Sequence, residues 1–224
     1  MPDFQVDDNK LTLKVVFYGP ALSGKTTNLM QLHSLLNPQR KGELMVLETR
    51  DDRTLFFDML PIGLRGRSGL DLRLKLYTVP GQVQHDSTRK AVLSRADGVV
   101  FVADSQPSQQ DNNATAFGNL EENLEKVGLD IDTLPLVVQF NKRDIPGVIG
   151  EQELQTRWAA TPWAPLMMAS ALRGEGVIET FRVLLDRLYS FADRECHLEQ
   201  QHGISRETFV EGLSAGYGER HAEL

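Results

Sequence analysis

Short apolar runs alternate along the chain with amphipathic segments. Three of these runs, GVVFVAD (98–104), LPLVVQF (134–140) and APLMMAS (164–170), are each separated from the next by helix-like sequence. Continuous apolar runs of this length are typical of strands that are buried on both faces. Strands that alternate with helices build a parallel sheet with helices packed on both faces. The pattern therefore predicts an α/β fold with a mostly parallel central sheet.

The first third of the chain adds a strand and a helix to this pattern. LTLKVVFY (11–18) alternates partly between apolar and polar residues and ends at Gly19, which indicates a strand. KTTNLMQLHSLL (25–36) places four leucines at helical spacing, and Pro38 closes the helix. The segment ELMVLE (43–48) is compatible with either a helix end or a strand, and its pattern does not separate the two.

An antiparallel hairpin is predicted at one edge of the sheet. TLFFDML (54–60) and LDLRLKLYTV (70–79) both read as strands, and they flank the glycine-containing turn RGRSG. Two strand-like runs joined by a short turn of this kind form a hairpin. The sheet is therefore expected to be parallel apart from this hairpin.

The C-terminal part divides at about residue 192. A last helix is predicted over about 177–191, because its apolar residues recur at i, i+3 and i+4. Beyond Ala192 apolar residues become sparse and glycines appear. We expect one domain over 1–192 and a tail over 193–224, with one short helix around SRETFVEGL. A mobile tail is the simplest interpretation, and docking onto the domain or recruitment of a partner are the alternatives.

Composition excludes several kinds of partner. The net charge is −7, so no general positive field favours nucleic acid or anionic lipid. The single cysteine, Cys196, cannot form an internal disulfide, which suits a reducing cytoplasm. No apolar run approaches the roughly 20 residues of a membrane span. The chain starts Met-Pro and ends in ERHAEL, so no direct lipid anchor is signalled.

The stretch GPALSGKTTNL (19–29) lies between the first strand and the helix behind it. Its spacing is that of a phosphate-binding loop, in which Gly19 and Gly24 let backbone N–H groups point at phosphate oxygens. Lys25 would bridge the β- and γ-phosphates, and the Thr26 hydroxyl would ligate Mg²⁺. The predicted nucleotide contacts of this loop are Gly19, Ala21, Leu22, Ser23, Gly24, Lys25, Thr26 and Thr27.

A second motif, NKRD, follows the strand at 134–140. Guanine offers N1–H and a 2-amino group on one edge, and the Asp144 carboxylate can accept both, whereas adenine presents no such pair. Asn141 would contact the other edge of the purine, and the Lys142 stem would pack on its face. The later segment SAL offers the backbone N–H of Ala171 to guanine O6. The predicted base contacts are Asn141, Lys142, Asp144, Ser170, Ala171 and Leu172.

A third group of residues would surround the γ-phosphate. TVPGQ (78–82) resembles the D-x-x-G-Q element of small GTPases, with Thr78 in place of the aspartate. Gly81 could donate its N–H to the γ-phosphate, and Gln82 could orient the attacking water. Upstream, Thr54 offers a second hydroxyl for Mg²⁺. Arg53 either neutralises charge on the transferring phosphoryl group or is a solvated loop residue, and chemistry alone leaves both open.

The combined motifs are similar to those of the bacterial MglA proteins, which are small Ras-like GTPases. The matching stretches are GPALSGKTTNL, DRTLFFD, YTVPGQV, STRKAVL, GVVFVADSQ and NKRDIP, and the match runs over most of the chain. TLFFD together with TVPGQ separates this family from eukaryotic Ras relatives. The resemblance implies a Ras-like P-loop GTPase fold with GTP or GDP and Mg²⁺ as ligands.

The resemblance also implies a function. We expect a GTP-hydrolysing switch in bacterial cell polarity and motility, cytoplasmic or recruited to a pole, and monomeric in isolation. It implies an MglB-type Roadblock dimer that accelerates hydrolysis without inserting an arginine of its own, together with polarity or motility effectors. In the family the arginine comes from the first switch region, here Arg53, and Gln82 matches the catalytic glutamine. Thr78 matches the usual replacement of the aspartate, and the predicted catalytic group is Gln82, Arg53 and Lys25.

This sequence departs from the family pattern in the phosphate-binding loop and in the second switch. Ala21 stands where the family usually has glycine. Gln84 and His85 stand where relatives tend to have aromatic residues, on the expected partner surface, so we expect weakened or altered MglB binding. A side chain at position 21 can displace a catalytic group, and a displacement of about 1 Å can cost on the order of a hundredfold in rate. The alternative to a cycling GTPase is therefore a guanine-nucleotide-binding interaction module with negligible turnover. A P-loop nucleoside or shikimate-type kinase is a distant third possibility, since it would have no use for Asp144.

Overall fold

The structure, a computed structural model, describes residues 3–5, 9–39, 41–48, 56–65, 68–80 and 86–215, with side chains except at 3–5, 46–48 and 56–58. The strands are β1 (Asp3–Gln5), β2 (Lys10–Tyr18), β3 (Met45–Glu48), β4 (Phe56–Arg65), β5 (Asp71–Thr78), β6 (Gly98–Asp104), β7 (Leu136–Asn141) and β8 (Met167–Met168). The helices are α1 (Lys25–Leu35), α2 (Asp86–Leu93), α3 (Gln110–Lys126), α4 (Glu151–Trp158), α5 (Val177–Cys196), α6 (Leu198–His202) and α7 (Arg206–Ser214).

The strands form one sheet in the order β3-β4-β5-β2-β6-β7-β8, and β1 pairs with β2. Strands β5, β2, β6, β7 and β8 run parallel, whereas β4 pairs antiparallel with β5. The predicted parallel sheet and its hairpin are thus confirmed. The segment 43–48 contains β3, which pairs antiparallel with β4, so the strand alternative is the right one there.

The parallel strands separate two hydrophobic layers. In β2, Leu13 and Val15 face one layer, whereas Val16 and Tyr18 face the other. Helices α1, α5 and α7 contribute to the first layer, and α2, α3 and α4 to the second. This is the arrangement expected for central strands that are apolar on both faces. Because these strands are parallel, their carboxyl ends lie together at one edge of the sheet.

Residues 193–215 pack onto the domain instead of forming a mobile tail. Helix α5 continues through residue 192, and the helix expected around SRETFVEGL is α7, with α6 before it. Phe209 is fully buried and its ring lies 5.6 Å from that of Tyr189 on α5. A Cβ on Gly212 would lie 2.8 Å from Leu64 Cδ1, which shows how closely α7 approaches β4. Phe209 and Leu213 lie one turn apart on the buried face of α7, and Leu198 and Ile204 before it are also fully buried. This placement outweighs the low number of apolar residues.

None of the helices in the described part of the chain is long and apolar enough to cross a membrane.

Candidate functional site

Three predicted motifs meet at the carboxyl edge of the parallel strands. The amide of Asn141, the last residue of β7, joins them through two hydrogen bonds. Its Nδ2 donates to the Ser23 carbonyl oxygen at 2.8 Å, and its Oδ1 accepts from the Ala171 backbone N–H at 2.8 Å. One side chain thus connects the phosphate-binding loop, the NKRD motif and the SAL segment. In open α/β sheets, ligands bind at this edge.

The loop after β2 has the backbone that its glycines predict. Gly19 has φ 138° and Gly24 has φ 99°, both in the region that side chains disfavour. A Cβ on Gly19 would lie 2.2 Å from the Val102 carbonyl oxygen, and one on Gly24 would lie 2.2 Å from Asn141 Nδ2. Only glycine therefore fits at either position, so the curvature of the loop is fixed by sequence.

Helix α1 presents its N-terminus to the site. Gly24 precedes the helix, its first turn contains no acidic residue, and no described side chain caps it by a hydrogen bond. The first N–H groups of a helix have no partner within the helix, and they lie at the positive end of its dipole. Thr26 in this turn is exposed, as are Ala21 and Leu22 in the loop, whereas Thr27 is half-buried. The arrangement suits an anion such as a nucleotide phosphate.

The Lys25 side chain folds back on the loop. It is only 7% exposed, and its Nζ donates to the carbonyl oxygens of Gly19 at 3.0 Å and Pro20 at 2.6 Å. Burial, with a smaller contribution from the charge of Arg89, lowers the pKa of Lys25 to about 7. A buried ammonium that lacks a counter-ion is costly, and phosphate oxygens would supply one. This lysine therefore fits a polyphosphate ligand.

The opposite end of the site carries a carboxylate. Ser170 Oγ donates to Asp144 Oδ1 at 2.6 Å, and this hydrogen bond is the main cause that lowers the pKa of Asp144. Lys142 adopts φ 67°, and its Nζ lies 2.6 Å from Asp104 Oδ2. Asp144 is thus held ionised, as an acceptor for two donors of a base must be.

The sequence analysis missed polar residues that support these motifs. Asn28 Nδ2 donates to the Gly24 carbonyl oxygen at 3.0 Å, and Gln139 Nε2 in turn donates to Asn28 Oδ1 at 3.0 Å. Gln139 also bonds Thr180 Oγ1 on α5 at 2.9 Å, so the start of α1 rests on the sheet and α5. Asp104 was missed too, although it ends β6 at the same edge at which Asn141 ends β7. It could have been found from the sequence, because ligands bind beyond the carboxyl ends of parallel strands and Asp104 ends the apolar run of β6.

One predicted donor already has a partner. The N–H of Ala171, expected to reach guanine O6, is directed at Asn141 Oδ1. Leu172 is 74% exposed beside it. The contact to O6 stays a prediction.

Part of the predicted γ-phosphate group lies outside the described residues. Arg53, Thr54, Gly81 and Gln82 belong to that part, and Gln84 and His85 of the second switch also lie outside the described residues. Their predicted roles stay predictions. Thr78, in place of the aspartate, is described and is the buried last residue of β5.

Comparison with known proteins identifies the family. The family model of the ADP-ribosylation factor (Arf) family matches residues 64–188. The chain is also 42% identical over 175 residues to the mutual gliding-motility protein MglA of Myxococcus xanthus (strain DK1622), covering 78% of this chain and 89% of that protein. The Arf family match, which begins at residue 64, agrees with the observed α/β sheet. The chain belongs to the MglA family of Ras-like small GTPases.

Proposed function

We propose that this protein binds GTP with Mg²⁺, hydrolyses it to GDP and phosphate, and acts as a switch between the two states. The observation that carries the proposal is the pair of hydrogen bonds of Asn141, which joins the phosphate-binding loop to the NKRD and SAL segments. A phosphate site and a guanine-selective carboxylate at one sheet edge fit a guanine nucleotide. Family membership supports the same assignment.

The described residues divide the binding between them. The loop from Gly19 to Gly24 and the start of α1 hold the phosphates through backbone N–H groups. Lys25 exchanges its two carbonyl acceptors for phosphate oxygens. Asp144, kept ionised by Ser170, accepts the two donors of the guanine edge and so selects GTP over ATP. The Thr26 hydroxyl, exposed at the start of α1, would hold Mg²⁺ together with Thr54, which lies outside the described residues, and the ion would supply positive charge beside the phosphates.

Hydrolysis transfers the γ-phosphoryl group of GTP to water and releases GDP and phosphate. Gln82 orients the water, and Gly81 donates its N–H to a γ-phosphate oxygen. Arg53 stabilises the charge of the transition state from within the same chain. The support for these three roles is the sequence motif and the family, because the residues lie outside the described part. We expect turnover to be slow without a partner.

The biological process follows from the relative. MglA of Myxococcus xanthus is a gliding-motility protein by name. We propose that this protein likewise controls cell polarity and motility from the cytoplasm, with recruitment to a pole. We propose an MglB-type Roadblock dimer as the activator of hydrolysis and polarity or motility effectors as the readers of the GTP state.

Ala21 supports a second candidate function. Its position in the phosphate-binding loop is exposed and follows Pro20, whose carbonyl oxygen accepts from Lys25. A methyl group there would lie where Arg53 and Gln82 are expected to act. Under this alternative the protein binds guanine nucleotide, turns it over negligibly and signals as an interaction module.

Single-turnover GTP hydrolysis decides between the two candidates. Wild type and Ala21→Gly are each measured with and without an MglB-type dimer, and Ala160→Gly, an exposed turn position away from the site, is the matched control. A cycling switch predicts that wild type hydrolyses GTP with the dimer and that glycine adds little. If Ala21→Gly hydrolyses GTP and wild type does not, the protein is an interaction module instead.

Nucleotide selectivity tests the part that both candidates share. Fluorescent GDP should bind with an affinity that Asp144→Ala lowers, whereas excess ATP should not compete. Equal binding of ATP and GTP would overturn the assignment of Asp144 and restore the kinase interpretation.

A further inference from the structure

Arg89 is buried where an arginine is unusual. It lies on α2, where it forms the buried face of the helix together with Val92 and Leu93, and none of its surface is exposed. Arginine is almost never fully buried unless it is paired, because the unpaired charge is costly. This position therefore has specific partners, and those partners indicate its role.

The guanidinium contacts three separate parts of the chain. Its Nε donates to the Pro80 carbonyl oxygen at 3.0 Å. Its Nη1 donates to the Tyr18 hydroxyl at 3.3 Å and to Asn119 Oδ1 on α3, and the guanidinium carbon lies 5.0 Å from the centroid of the Tyr18 ring. The rigid fork of an arginine can serve several acceptors at fixed angles, which the single ammonium of a lysine cannot.

These contacts lie directly beside the proposed reaction site. Tyr18 is the last residue of β2 and immediately precedes Gly19. Pro80 immediately precedes Gly81 and Gln82 in the sequence. The N–H of Val79 also donates to the Phe17 carbonyl oxygen at 3.3 Å. The backbone that leads to Gly81 is thus held against β2 on one side and by Arg89 on the other.

A polar cluster on α3 holds the same helix. Asn123 Nδ2 donates to Asp86 Oδ1 at 2.7 Å and to the Tyr18 hydroxyl at 3.2 Å. The Tyr18 hydroxyl itself donates to Asn119 Oδ1 at 2.6 Å. The hydrogen bond from Asn123 is the main cause that lowers the pKa of Asp86 to about 2. Asp86 therefore stays ionised beside the buried guanidinium, and both ends of the first turn of α2 are attached to α3.

We propose that Arg89 is a positioning residue for GTP hydrolysis: it fixes the Pro80 carbonyl against Tyr18 and Asn119, and so sets the backbone from which Gly81 and Gln82 follow. The inference rests on the proposed function for its effect on rate. The hydrogen bonds to Pro80, Tyr18 and Asn119 are made outside the loop that would hold the phosphates. The charge of Arg89 reaches that loop as the smaller of the two causes that lower the pKa of Lys25. We therefore expect the chemical step to depend on Arg89 much more than nucleotide binding does.

The test compares Arg89→Met, Arg89→Lys and Asn119→Ala with wild type. Lys90→Met is the matched control, because Lys90 is the next residue of α2 and its ion pair with Asp86 is partly exposed. Each variant is measured for GDP affinity, for single-turnover GTP hydrolysis, and for amide hydrogen exchange at Val79 and along α2.

We expect GDP affinity to stay within about threefold of wild type in every variant. Hydrolysis by Arg89→Met should fall on the order of a hundredfold, as expected for a misplacement of about 1 Å. Arg89→Lys should hydrolyse GTP faster than Arg89→Met but more slowly than wild type. Asn119→Ala should lose less of the hydrolysis rate than Arg89→Met does. Exchange at Val79 should quicken in Arg89→Met, and Lys90→Met should match wild type throughout.

Two outcomes would overturn the inference. Unchanged hydrolysis in Arg89→Met, with GDP affinity intact, would show that the hydrogen bond from Arg89 to Pro80 does not matter for the reaction. A parallel loss of affinity and hydrolysis in Arg89→Met and Asn119→Ala would show a purely structural role. If wild type itself hydrolyses no GTP, the proposed function fails. Unchanged hydrogen exchange at Val79 in Arg89→Met would then show separately that Arg89 does not hold the backbone at Pro80.

Discussion

The two ends of the candidate nucleotide site are built differently. At the base end, side chains from different elements hold one another: Ser170 holds Asp144, and Asp104 holds Lys142. At the phosphate end, Lys25 is bonded to carbonyl oxygens of its own loop, and α1 begins without a described side-chain cap. The base end is therefore arranged before a ligand binds, whereas the phosphate end has groups that must change partners.

Charge follows the same division. The hydrogen bond from Ser170 lowers the pKa of Asp144 and so favours its charged form. Burial lowers the pKa of Lys25 and so disfavours its charged form. A guanine base would thus meet the carboxylate of Asp144 in a form that is already stabilised. A phosphate group would instead supply the missing negative charge beside the buried ammonium of Lys25. Under the proposed function, the base end would set which nucleotide binds, and the phosphate end would make the stability of the loop depend on the ligand.

Gly24→Ala should have the largest effect, because it breaks the join between the two ends. The new Cβ would lie 2.2 Å from Asn141 Nδ2, at φ 99°. We expect the free energy of unfolding to fall by about 2–4 kcal/mol and GDP affinity to fall on the order of a hundredfold or more. Urea unfolding without nucleotide and titration with fluorescent GDP measure the two effects.

Gly118→Ala is the matched control for that variant. Gly118 lies within α3, and a Cβ there would meet nothing within 4 Å. Alanine should stabilise the helix by up to about 1 kcal/mol and leave GDP affinity unchanged. If Gly24→Ala behaved like Gly118→Ala, the close approach of the loop to Asn141 would be refuted.

Asp144→Asn should change the base end alone. An asparagine offers one donor and one acceptor where the carboxylate offers acceptors only. We expect GDP affinity to fall by about 10²- to 10⁴-fold and affinity for xanthosine diphosphate to rise, because xanthine has a carbonyl where guanine has its amino group. Competition binding with the two diphosphates measures the exchange.

The phosphate end provides the internal control for Asp144→Asn. The hydrogen bonds of Lys25 do not involve Asp144, so the stability of the loop without nucleotide should match wild type. A loss of both diphosphates together would contradict the separation of the two ends.

Motifs that depend on backbone shape could be predicted from the sequence. Gly19 and Gly24 occupy positions that only glycine fits, so the two glycines in the sequence predict the backbone conformation of the loop. The strand ends at Gly19 and Asn141 were predictable for a similar reason, since buried strands are apolar runs and a glycine-containing or polar motif begins where each of these runs stops. The fold and the base and phosphate ends were therefore within reach of the sequence.

Contacts between distant side chains could not be predicted in this way. Nothing in the letters around Asn141 shows that its amide would bond both Ser23 and Ala171, because the three belong to different motifs. Docking of the tail was only an alternative to a mobile tail, because few apolar residues carry the packing of α7, with Phe209 and Leu213 fully buried on one face. The buried Arg89 was missed because an arginine on a helix is ordinarily solvated.

Ser170→Ala should have the smallest effect, and it separates charge from contact at the base end. The carboxylate is the form that accepts the guanine donors, so binding is lost as pH falls through the pKa of Asp144. Ser170 lowers that pKa, so its removal should raise the pKa and shift the loss of GDP affinity to higher pH. At pH 7 Asp144 stays ionised in both proteins, and the difference should be no more than about threefold. GDP titrations from pH 7 downward, over the range in which circular dichroism shows a folded chain, should give separate curves for Ser170→Ala and wild type, with Ser108→Ala, an exposed serine, following wild type. Coincident curves for Ser170→Ala and wild type would mean that Ser170 only positions Asp144. The bound guanine itself would then determine the pH at which Asp144 loses its charge.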